Sequence, residues 1–317
     1  MSCSQRPAKR QRTDGEITRS SLWHQDGSVV LQAASTQFRV HWSVLSLHSG
    51  FFKEMQTLPQ PPGSVLVENC HVVELHDTPN DVQHLLEALY DPTLFGQPML
   101  PFASIAGIIR LSRKYDFQNL LQTAARRLSH EHPTAFSVFP RDYRPTMYTF
   151  DGQKTLLEVL KLAREAQLWT ILPVAYLRVI IDLLHTPTKS QSLSISQPDA
   201  STIELDAVDQ RNCIQGAHRI MEALWNCNDF WQWFSSADAV SARCVNPTRC
   251  GHLKTKMFRA LVVKRAFVHP NLSFTKQLCS ECEAHQALII RESWEAIWPE
   301  LPVLLGLPRW DELRDEL

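Results

Sequence analysis

The hydrophobic period of this chain changes at residue 78. Upstream, the β-favouring runs Ser28–Ala33 and Gln37–His41 predict two strands, with the polar Ala34–Thr36 as the turn of a hairpin. Val44, Leu45, Leu47, Phe51, Phe52 and Met55 recur at helical spacing and predict a helix. Leu58–Gly63, with three prolines, must be a loop, and Ser64–Glu68 and His71–Leu75 look like two more strands. From Thr78 the spacing is helical. Thr78-Pro79-Asn80-Asp81 supplies a capping hydroxyl, a proline at the first helical position and a first-turn acid. Val82, Leu85, Leu86, Leu89 and Tyr90 then line one face, and Asp91-Pro92 ends the helix. Helices follow over about 102–115 and 117–130, then over Thr155–Leu168 and Pro173–His185. The pattern is α+β: a small sheet flanked by helices, then a mostly α-helical C-terminal region.

A chain of 317 residues has room for about two domains at roughly 150 residues each. The expected division is a disordered basic tail over 1–19, a mixed domain over 20–132 and a helical extension over 133–185. A Ser/Gln/Thr/Pro-rich linker or exposed loop over 186–202 leads to a helical C-terminal domain over 203–317. Ten glycines, spread far apart, leave no G-x-G-x-x-G fingerprint, P-loop or G-x-S-x-G elbow, and no H-E-x-x-H occurs. These absences turn the reading from an enzyme toward a binding protein. The N-terminus lacks the apolar stretch of a secretory signal, and no run has the roughly 18 apolar residues of a membrane helix. The eight cysteines are therefore expected in a reducing compartment, where metal binding outranks disulfides. Lys9, Arg10 and Arg12 form a short basic cluster of the nuclear-import type, so the nucleus or the cytoplasm is the expected location. The terminal Arg314–Leu317 resembles an ER-retention signal, void without a route into that compartment.

Asp26–Ala33, Phe38–His41, Val44-Leu45, Ser49, Phe51-Phe52 and Met55 together resemble a BTB/POZ domain. Leu86–Tyr90 and Ala103–Tyr115 extend the resemblance through the later helices, so that it covers about residues 20–132. In that family a strand pair with a buried Asp leads into the turn His, here Asp26 and His41. The remainder is similar to the helical regions of basidiomycete-type fungal BTB-domain proteins, through Leu278–Cys282, Trp298–Pro302 and Leu305–Leu313. The resemblance implies a protein-interaction adaptor and no enzyme. It implies homodimerisation, with Ile17–Trp23 as a strand of the kind some dimers exchange, and partner contacts through Phe51, Phe52 and Met55. Some members are substrate adaptors of cullin ubiquitin ligases, and others recruit transcriptional co-repressors. Two departures stand against direct transfer: Trp42 follows the turn His where repressor-type domains carry a basic residue, and residues 55–64 hold no Glu for a hydrophobic-x-Glu motif.

Four of the cysteines fall into two short-spaced pairs, Cys244-x5-Cys250 and Cys279-x2-Cys282. Zinc takes four thiolate or imidazole ligands in a tetrahedron, and two such pairs supply them. The expected structural zinc site is Cys244, Cys250, Cys279 and Cys282, with His252 as an alternative ligand, Gly251 helping the chain wrap the metal, and a helix over roughly 254–267 between the pairs. The competing readings are small buried hydrophobes in a helical core and, for Cys279-x2-Cys282, a redox pair without the βαβ setting it would need. Between Asp238 and Glu281 there is no acid, and Arg243, Arg249, Lys254, Lys256, Arg259, Lys264, Arg265 and Lys276 make that stretch basic. Nine acids against three basic residues follow from Glu281 onward, which argues against a nucleic-acid surface. Trp225, Phe230, Trp231, Trp233 and Phe234 form an aromatic cluster that reads as helical core or, alternatively, as a partner groove. The expected function is an adaptor, possible in two forms: one recruiting partners to a cullin-type ligase, the other a nuclear transcriptional or chromatin regulator with a zinc-stabilised basic module.

Overall fold

The structure is a computed structural model and describes residues 16–59, 65–139, 145–185, 194–196, 202–264 and 278–317. Lys9, Arg10 and Arg12 lie outside the described residues. The chain divides into two compact units between Ala124 and Ala125.

The first unit opens with β1 (Thr18–Trp23), β2 (Val29–Ala33) and β3 (Thr36–Val40), followed by α1 (Trp42–His48) and α2 (Gly50–Thr57). β4 (Leu66–Val67), β5 (Cys70–Leu75), α3 (Pro79–Tyr90) and α4 (Phe102–Lys114) come next, and α5 (Gln118–Glu131) runs across the division. The sheet order is β1-β3-β2-β5-β4. β2 and β3 form the expected hairpin, and Ala34 takes φ +47° to close its turn. β1 pairs in parallel with β3 of its own chain, Thr18 opposite Thr36. This is the strand read as a candidate for exchange, and within the single chain it pairs with β3. Arg19 anchors it, with a guanidinium 2.7 Å from Glu68 and over the Trp23 ring.

The alternation of β2 puts Val29, Leu31 and Ala33 into one apolar core with Phe38, Val40, Leu45, Phe52, Val82, Leu86 and Phe117. The single helix expected through Met55 is broken at Ser49. Its hydroxyl donates to the Tyr115 carbonyl at 2.5 Å and accepts from Phe52 N at 3.0 Å, which caps a second helix in place of continuing the first. Thr78 caps α3 as expected, its Oγ1 accepting from Asp81 N at 3.1 Å. α3 packs on α4, where a Cβ at Gly107 would lie 3.1 Å from Asp81 Cα.

The second unit contains α6 (Gly152–Glu165), α7 (Leu172–His185), the β6 (Ser194–Ser196) and β7 (Thr202–Glu204) ladder, α8 (Ala207–Trp225) and α9 (Asn228–Ser235). α10 (Pro247–Lys264), α11 (Ser280–Ile297) and α12 (Leu301–Leu304) complete it. The sequence pattern separates 133–185 from 203–317, but both fall in this one unit. The reason is a polar clip joining α6, α7 and α8. Arg164 Nε lies 2.6 Å from Asp209 Oδ1, the Tyr176 hydroxyl donates to the same oxygen, and Asn212 Nδ2 donates to Tyr176 at 3.3 Å. The expected linker contributes β6, which pairs antiparallel with β7 at the linker's end, Ile195 opposite Ile203. At the C-terminus, Asp315 accepts from Thr170 N and Oγ1 at 2.8 and 2.7 Å, and Leu313 is buried. Within the Arg314–Leu317 segment, Asp315 is thus held against Thr170, while Leu317 is 45% exposed. Among the described residues, no helix is long and apolar enough to cross a membrane.

Candidate metal centre

Two helix starts converge on the cysteines. Asn246 caps α10, its Oδ1 accepting from Arg249 N at 3.0 Å, and Pro247 occupies the first helical position. Cys250 is therefore in the first turn of α10, and Cys244 lies in the loop just before it. Cys279 is the N-cap position of α11 and Cys282 is in its first turn. The exposed N–H groups and positive dipole end of a helix start favour thiolates.

The four sulfurs all lie within 4.8 Å of one another, and Cys279 Sγ is 3.8 Å from Cys244 Sγ. A tetrahedral zinc with Zn–S bonds of about 2.3 Å requires sulfurs about 3.8 Å apart. A disulfide requires about 2.05 Å, and the cysteines are free. Cys250 and Cys282 are buried, while Cys244 and Cys279 are half-buried. The cluster is electrostatically uneven. The backbone N–H groups of Cys282 and then Val245 pull the Cys279 thiol down to about 6, whereas burial pushes Cys282 up to about 12 and raises Cys250. Four crowded sulfurs do not all ionise without a cation among them. The donor set therefore fits a soft divalent metal of the zinc type.

The four predicted cysteines are thus brought together, but their surroundings differ from expectation in three ways. His252 is exposed, two residues past Cys250 on another side of α10, and is not part of the cluster. It lines a neighbouring cavity with Asp238, Thr248 and Thr255. Gly251 does not wrap a metal: it lies inside α10, where a Cβ would sit 2.3 Å from the Ala237 carbonyl oxygen, so it permits close approach of that segment. The helix between the pairs starts at Pro247 and includes Cys250, because Asn246 caps it earlier than the apolar spacing suggests.

Sequence reasoning misses Lys254. It is only 1% exposed, with its ammonium 4.4 Å from the centroid of the Trp233 ring and bonded to the Ala239 carbonyl. Burial lowers its pKa to about 8, while the nearby Cys282 and Asp238 act to raise it. The available signal is its place four residues after Cys250, on the same face of the helix. Its burial removes one charge from the basic surface expected between residues 239 and 280; Arg265 and Lys276 lie outside the described residues. Of the aromatic cluster, Phe230, Trp233 and Phe234 are core, whereas Trp231 is 43% exposed and meets Trp225 edge-on at 4.8 Å.

In the first unit, Phe52 is buried in the core against Tyr115 and Phe117, so its ring is not available to a partner. Met55 is half-buried against the same core, and Phe51 is 40% exposed. His41 Nε2 lies 3.2 Å from Asp26 Oδ1, and the Tyr90 hydroxyl is 3.0 Å from His41 Nδ1. Asp26 is exposed and not buried as the resemblance implies; its own backbone N–H and then His41 hold its carboxyl below the usual range. This arrangement ties the strand end to α3.

Comparison with known families agrees with the first unit. The BTB/POZ domain profile matches residues 23–132, which identifies that segment as a BTB/POZ domain, a protein-interaction module. No curated protein matches the chain.

Proposed function

We propose that this chain is a protein–protein interaction adaptor. Its BTB/POZ domain docks on a partner protein and pairs with a second copy. The second unit, held together by a structural zinc at Cys244, Cys250, Cys279 and Cys282, presents the surface that selects what is brought to that partner. The observation that carries the reading is the BTB/POZ domain over residues 23–132. It is supported by apolar side chains left exposed along the α1–α2 arm, Leu47 at 76%, Phe51 at 40% and Leu58 at 63%. A cullin-type ubiquitin ligase is the partner class that the domain type suggests. A nuclear complex of transcriptional or chromatin proteins is the alternative, favoured by the basic cluster at Lys9, Arg10 and Arg12. The basidiomycete fungal affinity of the helical part belongs to the same proposal.

The test is affinity purification of the tagged full-length protein from its own cells beside a Leu47→Glu/Phe51→Ala variant. The expected result is a partner recovered near the level of the bait and lost in the variant. A cullin among the recovered proteins selects the ligase form, and co-repressor or chromatin proteins select the nuclear form. If nothing accompanies the wild type, and light scattering gives only monomer at tens of micromolar, the adaptor reading fails.

A further inference from the structure

Lys254 is one of the largest fully buried side chains in the molecule, beside Arg178 and the core tryptophans. An ammonium out of water is costly unless an opposite charge or several hydrogen bonds replace its hydration. Among the described residues it makes one hydrogen bond, to the Ala239 carbonyl, and rests on the Trp233 face. An ammonium has three donors, so those two contacts leave it under-compensated. The acidic groups that act on it are Cys282 and Asp238. Asp238 is exposed, whereas Cys282 is 0% exposed and is a member of the sulfur cluster.

The opposite problem exists beside it. A divalent ion bound by four thiolates leaves a centre with a net charge of about −2, with two of its four sulfurs here buried. Four residues after Cys250, Lys254 projects from the same face of α10 as that ligand. The ammonium lies over the Trp233 ring, which packs on His285 of α11, the helix that carries Cys282, at 4.8 Å. The two burial costs therefore offset each other at one place.

We infer that Lys254 is the fixed counter-charge of the Cys244–Cys250–Cys279–Cys282 metal centre, held in place by Trp233 and the Ala239 carbonyl. The inference rests on the metal reading above. Lys254 is a positioning residue: it touches no metal and acts through the thiolates by stabilising their negative charge. Outer-shell groups of this kind are worth about 10- to 100-fold in metal affinity.

The experiment uses the full-length protein with Zn2+ and Co2+ as probes, in the wild type, Lys254→Gln, Lys254→Met and Lys254→Arg. Zinc affinity is read by competition with a chromophoric chelator, and the cobalt form by its sulfur-to-cobalt charge-transfer band. A nearby cation lowers the energy of the sulfur electrons, so losing it should move that band to longer wavelength. Both neutral variants are expected to hold zinc at least about tenfold less tightly, with the band shifted, and Lys254→Arg is expected to restore both. Lys254→Gln keeps a donor for Ala239, so it carries the test should Lys254→Met fail to fold. Weaker binding with an unmoved band, or without rescue by Arg, would mean that the side chain only packs, and would overturn the inference. Unchanged affinity in the neutral variants would overturn it with the metal centre intact. A wild type that takes up neither ion refutes the metal reading itself, and the counter-charge with it.

Discussion

The two units bury different kinds of side chain. Among the described residues of the first, the buried polar ones are Gln37, Ser49, Ser104 and Ser112, and none is charged. In the second, Glu131, Arg178, Asp209 and Lys254 are all buried. The first unit is an apolar core whose buried polar groups are uncharged: Ser49 closes backbone bonds for α2, while Gln37 and Ser104 meet the Gln32 and His84 side chains. In the second, helices of similar apolar faces are locked at specific points. Arg164, Tyr176 and Asp209 join α6, α7 and α8, and the Glu131 carboxylate accepts from Thr146 N, Thr146 Oγ1 and Met147 N. An apolar core loses stability roughly in proportion to what is cut away. A charged one responds to which partner is lost, because the survivor stays buried and unpaired.

The largest effect should follow from removing the metal. Structural zinc contributes an apparent ~10 kcal/mol or more, comparable with the whole stability of a domain. Chelation under reducing conditions, or Cys250→Ser, is expected to strip amide-exchange protection from α10 and α11 while α3 and α4 keep theirs. Equal protection in all four helices, with and without chelator, would show that the cysteines are merely buried thiols.

The next test sets one core against the other. Phe52→Ala should cost about 3–5 kcal/mol in chemical denaturation, since it leaves a cavity in the first unit. Asp209→Asn should cost about 3 kcal/mol by leaving the Arg164 guanidinium without its carboxylate. The distinction lies in rescue: Arg164→Met combined with Asp209→Leu should recover most of the loss, whereas no second change of that kind exists for Phe52. Additive losses at Arg164 and Asp209 would erase the contrast between the units.

The same contrast governs what the amino-acid sequence reveals by itself. Elements built by local rules are legible in it. Thr78, Pro79 and Asp81 announce α3, and the β-favouring run Ser28–Ala33 announces β2. The four cysteines are legible because short ligand spacings are themselves a chemical signal. Features closed by distant partners are not. The break at Ser49 depends on a carbonyl 66 residues away, and nothing in the apolar period marks it. Lys254 sits in an acid-free basic stretch of the kind that usually forms surface; its contacts with Trp233 and the Ala239 carbonyl, 21 and 15 residues away, are invisible in that pattern. His252 is close to Cys250 in sequence but not in space, since two residues along a helix turn a side chain away.

The smallest effect sharpens the comparison through pH. His132 is buried in the second unit, with Nδ1 2.8 Å from the Leu128 carbonyl oxygen. A carbonyl only accepts, so Nδ1 carries the hydrogen, and Nε2 is left buried without a partner. Protonating Nε2 would place a second cation near Arg178 in a dry interior. Burial first, and then Arg178, hold the imidazole pKa down to about 3 against the weaker pull of the Leu128 bond. In the unfolded chain the same ring takes up its proton near the ordinary value of about 6.5. Between those two values the unfolded state binds a proton that the native state refuses. The contribution to stability is therefore complete above about pH 6.5 and is lost as the pH falls toward 3. At about 1.4 kcal/mol per unit, lowering the pH from 6.5 to 5 should remove roughly 2 kcal/mol, and His132→Gln should remove that slope. The loss belongs to the second unit, so it should be read as earlier amide exchange in α7, which carries Arg178, with α3 and α4 unchanged. A slope that survives His132→Gln, or one spread evenly over both units, would assign the acid sensitivity to groups other than this buried ring.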